Sequence, residues 1–214
     1  MNGFWFLPKF VPNTVRVLNE FNPLPNDVIL ASFPKTGTTW LKSLLFSIIN
    51  RSSKELLVKH NPHELVPTLE VQVFGKTESS PIITDDLDSR RLYSTHSPYQ
   101  LLGKTLDSSH CLVVYITRNP KDTLVSMWHF TNKWKDAEDA PWPLDEAIEK
   151  FCSRIFPGVP YYDHVMGFKK GKQGVVGDHK NYLEAKTIER IDALTRDMFH
   201  GAGFSFFSFM ELIL

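Results

Sequence analysis

The sequence predicts an α/β fold, a three-layer sandwich in which helices cover both faces of a central parallel sheet of about four strands. Three observations carry this expectation. Residues 28–33 (V-I-L-A-S-F) form a nearly unbroken apolar run of strand length, as expected of a strand buried on both faces. Residues 111–117 (C-L-V-V-Y-I-T) form a second such run. Each run ends at a turn that opens directly into a pattern of helical period, the alternation of a parallel sheet with its crossover helices.

Taken in order, residues 1–26 contain Pro8, Pro12, Pro23 and Pro25 and read as an irregular lead-in, with at most a short helix over 14–21. After the first strand, Pro34 stops the extended run and Gly37 gives the turn its freedom. Trp40, Leu41, Leu44, Leu45, Ile48 and Ile49 then trace one helix face, with Thr38 or Thr39 placed to cap it. Strand, tight turn with Lys35, then helix N-terminus is a P-loop-like, phosphate-binding layout. Backbone N–H groups and the positive end of the helix dipole attract an anion, and Lys35 adds a full charge. The order differs from a Walker A motif, which closes on Gly-Lys-Ser/Thr, because here Lys35 precedes Gly37.

Residues 51–59 are a polar exit, and Pro67 limits any helix after His63. His60 and His63 are three apart, but Pro62 between them spoils a shared helix face. They read as loop histidines first and as pocket-lining residues second. Residues 81–91 are a polar connection. Residues 92–96 (L-Y-S-T-H) read as another short strand, ending in His96 where ligands of open α/β sheets bind. Beyond 117, Asn119 as N-cap and Pro120 at the first helical position open a helix over 123–130, with Asp122 in its first turn. Arg118 then lies at a strand–helix junction on the edge that also carries Lys35, provided the strands are parallel, and Ser126 lies about one turn into the helix.

Residues 134–142 read as a surface loop, 144–155 as a helix, 156–166 as a turn-rich aromatic segment and 167–177 as a flexible basic loop. A helix over 187–199 ends at Gly201, and the tail 204–214 is strongly apolar. The 214 residues are expected to form one domain without internal repeats.

Composition narrows the function classes. The 24 Lys+Arg balance 24 Asp+Glu, which gives no sign of nucleic acid or an acidic membrane as partner. Two distant cysteines, Cys111 and Cys152, supply neither a disulfide framework nor a metal cluster and suit a reducing compartment. The aromatic N-terminus lacks a basic leader and a cleavage site, and no run approaches the ~20 apolar residues of a membrane span. A soluble cytoplasmic protein is the expectation, with no metal required.

Three segments together go further: residues 33–40 (F-P-K-T-G-T-T-W), residues 118–122 (R-N-P-K-D) with Ser126, and residues 174–181 (G-V-V-G-D-H-K-N). In that order they resemble the signature segments of the cytosolic sulfotransferases, most closely the plant flavonol-type members. Residues 93–98 (Y-S-T-H-S-P) and 160–165 (P-Y-Y-D-H-V) are similar to further stretches of that family. The resemblance implies sulfuryl transfer from 3′-phosphoadenosine 5′-phosphosulfate (PAPS) to a hydroxyl of a small acceptor, of the flavonol, hydroxy-jasmonate, steroid or phenol class. By the family pattern His96 is the base that takes the acceptor's proton. Lys35, Thr36, Gly37, Thr38, Thr39 and Trp40 hold the 5′-phosphosulfate, with Lys35 also stabilising the leaving phosphate, and Arg118 and Ser126 hold the 3′-phosphate.

The sequence departs from the family in two places. Members usually carry Arg-Lys-Gly before the third segment and a Trp within it. Here Lys172, Gln173 and His179 stand there, or else Lys169-Lys170-Gly171 serve after a three-residue insertion. A long stretch that members carry between residue 165 and the glycine loop is represented only by 166–173, the start is shorter, and the tail does not resemble the family's end. The corresponding expectation is a donor site with its 5′ side and one 3′-phosphate arm, but a weakened adenine wall. A catalytically impaired remnant that binds nucleotide or a partner is the alternative. A P-loop kinase is the third reading, disfavoured because no Mg-binding Asp follows a strand.

Overall fold

A computed structural model describes residues 4, 6, 8–53, 55–75, 90–134, 139–155 and 160–171, and the backbone of 211–213. The elements, in chain order, are α1 (Val11–Glu20), β1 (Val28–Ser32), α2 (Thr38–Ile49), α3 (Leu56–Lys59), α4 (Pro62–Leu65), β2 (Leu92–Thr95), α5 (Tyr99–Ser109), β3 (Leu112–Thr117), α6 (Pro120–Lys133), α7 (Leu144–Cys152), α8 (Tyr161–Gly171) and β4 (Glu211–Ile213). A π-helical turn, Leu69–Val73, lies between α4 and β2.

The strand order is β2-β1-β3-β4. β1 pairs in parallel with both neighbours, Ile29 lying opposite Tyr93 on one side and Val113 on the other. The chain leaves β1 toward β2 and returns past it to β3, so the strand order reverses at β1. In open α/β sheets the carboxyl end of such a strand is where ligands bind. β4 runs antiparallel, Leu212 opposite Ile116, so the expected parallel sheet has an antiparallel edge supplied by the apolar tail. Covering β3 in this way removes an open edge.

All five residues of β1 are buried, as its unbroken apolar run predicts. Side chains alternate between faces. Ile29, Ala31, Tyr93, Val113 and Tyr115 meet Leu102 and Leu106 of α5, Phe168 of α8 and Val17 of α1. Val28, Leu30, Leu92 and Ile116 meet Leu41, Leu45 and Phe46 of α2 and Leu65 of α4. Two covered faces make the three layers. A third cluster, Phe33, Met127, Trp142, Ala147, Phe151 and Tyr161, joins α6, α7 and α8 to the residue just past β1. The strand starts are tied by Asp27, a buried carboxylate that receives Arg91 Nε at 2.8 Å and the Leu24 N–H at 2.7 Å.

Several sequence expectations are corrected. The lead-in is not irregular throughout: α1 runs over Val11–Glu20 with a proline in its first turn, where a missing N–H costs nothing. The buried face of α2 is Thr38, Leu41, Lys42, Leu45 and Phe46, while Trp40 and Ile48 are 42% and 51% exposed. The face is thus rotated from the one the apolar residues trace, and it takes in a lysine. Neither Thr38 nor Thr39 caps α2; the N-cap is Gly37, with φ of 100° and no side-chain cap. Trp142 is buried rather than part of a surface loop, its carbonyl accepting Trp128 Nε1–H at 2.7 Å.

Residues 161–171 are helix α8, not turns and a flexible loop. Gly167 and Gly171 suggested flexibility but serve close packing instead. A Cβ on them would stand 2.5 Å from Gln100 Oε1 and 2.0 Å from the Tyr99 ring respectively. Lys169, Lys170 and Gly171 form the last turn of this helix, roughly 12 Å along its axis from Tyr161. The other glycine-loop residues, Lys172, Gln173, Gly174, Gly177, Asp178 and His179, lie outside the described residues, as do the helix expected over 187–199 and most of the tail. The Asn119 cap is present: its side chain accepts the Lys121 N–H at 3.0 Å, and α6 begins at Pro120.

Candidate active site

Three chain segments leave the carboxyl ends of three adjacent parallel strands. From β1 comes the turn 33–37, from β2 His96, and from β3 Arg118. The turn is tight. Lys35 and Gly37 both take positive φ, 69° and 100°. Thr36 is buried and its hydroxyl donates to the Phe33 carbonyl at 2.7 Å, so its side chain holds the turn. The Thr38 hydroxyl bonds Ser32 Oγ at 2.7 Å instead of capping α2. Without a side-chain cap, the positive end of α2 faces outward beside Lys35.

Lys35 reaches across to α6, its ammonium 4.4 Å from the centroid of the Phe130 ring. Its pKa is lowered by partial burial and by the charges of Arg118 and Lys133. Ser126 and Phe130 are four residues apart on α6 and share a face, with Lys133 one turn further. Ser126 is seven positions into α6, two turns rather than one. Asp122, one turn before Ser126, lies 3.7 Å from Arg118. One face of α6 therefore links Arg118, Ser126 and Lys35, and three cations gather around it. Such a concentration is suited to a polyanion with more than one phosphate.

His96 is partly exposed at the end of β2. Its Nδ1 lies 2.8 Å from the Ser32 carbonyl oxygen and 3.4 Å from Ser32 Oγ. A carbonyl only accepts, so Nδ1 carries the proton, and the neutral ring keeps its lone pair on Nε2. Burial lowers the pKa of this ring, against the opposing influence of Glu70 and the Ser32 carbonyl. A histidine kept neutral with Nε2 unprotonated has the form of a general base.

α8 props up two of the three strand ends. The Tyr161 hydroxyl donates to the Arg118 carbonyl and bonds Thr117 Oγ1 at 2.7 Å. One turn on, His164 Nε2 donates to the His96 carbonyl at 3.2 Å while Nδ1 accepts the Tyr115 hydroxyl at 2.9 Å. Fully buried, His164 is pushed down by desolvation to about 3 and stays neutral.

Several of the residues that shape the site escaped sequence reasoning. Lys42, buried on α2, donates to His63 Nδ1 and Thr68 Oγ1, each at 2.9 Å. Burial lowers it to about 7 despite the attraction of Glu70. His63 Nε2 in turn lies 3.3 Å from Thr39 Oγ1. Glu70, buried in the π-helical turn, binds the residues flanking His96. The sequence held one available signal: Lys42 falls at helical spacing from Thr38, Leu41, Leu45 and Phe46. Of the residues expected at the donor, Lys35, Gly37, Arg118 and Ser126 line this edge, while the Thr38 hydroxyl is turned inward to Ser32. The Thr36 side chain turns inward, the Thr39 hydroxyl faces His63, and Trp40 is exposed at the rim.

Comparison with known proteins bears on the family and the fold. The family model described as the sulfotransferase domain matches residues 25–173. Cytosolic sulfotransferase 17 of Arabidopsis thaliana is 41% identical over 175 residues, covering 80% of this chain and 50% of its own length. The chain thus spans about half the length of that relative. A crystal structure of an Arabidopsis thaliana protein, provisionally assigned as a steroid sulphotransferase, matches with a TM-score of 0.66 at 28% identity. It covers 96% of this chain and 87% of that one. Mouse sulfotransferase SULT7A1, solved with PAP, shares the fold at 22% identity and a TM-score of 0.57, covering 90% of this chain and 66% of its own. The chain belongs to the sulfotransferase family.

Proposed function

We propose that this protein transfers a sulfuryl group from PAPS to a hydroxyl of a small organic acceptor in the cytosol. One observation carries the reading: an uncapped helix N-terminus with Lys35, the Arg118–Ser126 face and a neutral His96 converge at the ends of three neighbouring parallel strands. In this reading the backbone of the turn, Lys35, Gly37, Thr38 and Thr39 receive the 5′-phosphosulfate, with Thr36 bracing the turn and Trp40 flanking it. Arg118 and Ser126 receive the 3′-phosphate. The acceptor oxygen attacks sulfur and loses its proton to His96 Nε2, while the bond from sulfur to the bridging phosphate oxygen breaks. Lys35 leaves the Phe130 face to balance the charge that collects on the departing phosphate.

The family membership and the donor-site cations support PAPS as co-substrate. The names of the relatives, cytosolic sulfotransferases and a provisional steroid sulphotransferase, support a cytosolic setting and a small-molecule acceptor, while the range of flavonol, hydroxy-jasmonate, steroid and phenol classes is what the sequence resemblance implies. The test is transfer of labelled sulfate from PAPS to a panel of these four classes, with a parallel assay of phosphate transfer from ATP. Sulfation of at least one class is expected. Metal-dependent phosphorylation instead would refute the proposal, and nucleotide binding without transfer would favour the remnant.

A further inference from the structure

Glu70 stands in the turn Leu69–Val73 beside β2 and is 6% exposed. Its Oε1 accepts the Thr95 hydroxyl, the Ser97 N–H at 3.1 Å and the Ser97 hydroxyl at 2.6 Å. These two residues bracket His96, so a single oxygen fixes the strand-end turn from both sides. Oε2 is buried and has no hydrogen-bond partner among the described residues. A bare carboxylate oxygen in the interior is costly. The clamp itself does not require it, since the two lone pairs of a glutamine carbonyl oxygen could accept the Thr95 and Ser97 hydroxyls, while the Ser97 N–H keeps its bond to Thr95 Oγ1 at 3.0 Å. The negative charge therefore needs a reason of its own.

That reason lies in what surrounds His96. Lys42 faces it from α2, His63 from α4, His164 from α8, and the Ser32 carbonyl holds its Nδ1 from β1. Glu70 is the one carboxylate in this set. Burial and Lys42 both oppose a positive charge on the ring, while Glu70 favours it.

We propose that Glu70 is a positioning residue for His96 that works by charge as well as by its clamp, acting as counter-ion to the imidazolium formed when His96 takes the acceptor's proton. This rests on the sulfotransferase reading above, but its test does not need turnover. The His96 ring is titrated by NMR in the wild type, in Glu70→Gln, which keeps the clamp, and in Lys42→Met, which removes the opposing cation. The midpoint is expected to fall by about one pH unit in Glu70→Gln and to rise in Lys42→Met. The Ser97 amide signal should stay in place in Glu70→Gln. Where the wild type turns over, Glu70→Gln should lose roughly tenfold in kcat with KM for PAPS unchanged.

A folded Glu70→Gln variant with an unmoved midpoint would overturn the proposal. Should that variant not fold, Lys42→Met decides alone, and a midpoint that stays or falls there is equally fatal. Both shifts in a wild type devoid of transferase activity would uphold the coupling while refuting the enzymatic reading.

Discussion

Lys42→Met should stabilise this protein at neutral pH and lose that advantage in mild alkali. The lysine side chain is fully buried and its pKa is lowered from the ordinary 10.5 to about 7. The unfolded chain then holds this proton more tightly than the folded one. Stability is held down below pH 7 and rises as the pH climbs through the window from 7 to 10.5. Linkage puts the cost at about 4 kcal/mol at pH 7 and about 2 kcal/mol at pH 9. Methionine, unbranched and one atom shorter, fills most of the same space but abandons the bonds to His63 Nδ1 and Thr68 Oγ1, together worth about 2 kcal/mol. The variant should therefore be more stable than wild type by about 2 kcal/mol at pH 7 and nearly equal to it at pH 9. Urea denaturation of both proteins at the two pH values measures this directly. An offset between them that does not change from pH 7 to 9 would show that Lys42 does not titrate in this window, and the argument would fail.

Two further outcomes follow from the same geometry. Gly37→Ala has room for its methyl, whose nearest neighbour would be Ile116 Cδ1 at 4.0 Å, so its cost is the positive φ alone. It should lose about 1–2 kcal/mol of stability in denaturation and weaken PAP binding; a neutral effect on both would contradict the turn described. His164, neutral with a pKa of about 3, releases its proton on folding anywhere between its ordinary 6.5 and that value. Stability should decline by up to about 1.4 kcal/mol per pH unit as the pH falls through this window, and His164→Phe should flatten the slope.

The sequence disclosed the frame of the site better than its interior. Strand ends, the turn with Lys35 and Gly37, and the Asn119–Pro120 helix start rest on local chemistry, and each stands within a residue or two of its expected place. α8 is not legible because Gly167 and Gly171 signal flexibility in isolation, whereas their role is to let Tyr99 and Gln100 of α5 approach. The buried face of α2 is hidden in the sequence because Trp40 and Ile48 outrank lysine on any apolar scale, although Lys42 sits in the buried stripe. Glu70 carries no local signal at all: its partners Thr95 and Ser97 are far away in the chain and meet it only when the π-helical turn packs on β2. Long-range polar clamps of this kind become visible only in three dimensions.

The central claim is that the donor's 3′-phosphate arm and the base are separate parts of one site, built on β3 and β2 respectively. Calorimetric titration with PAP, paired with labelled-sulfate transfer, tests it on His96→Ala and Arg118→Ala side by side. His96→Ala should bind PAP like the wild type and lose transfer by roughly a hundredfold or more. Arg118→Ala should weaken PAP binding by roughly tenfold or more, the loss of a charge-assisted contact. Unchanged PAP affinity in Arg118→Ala, or full transfer by His96→Ala, would contradict the account.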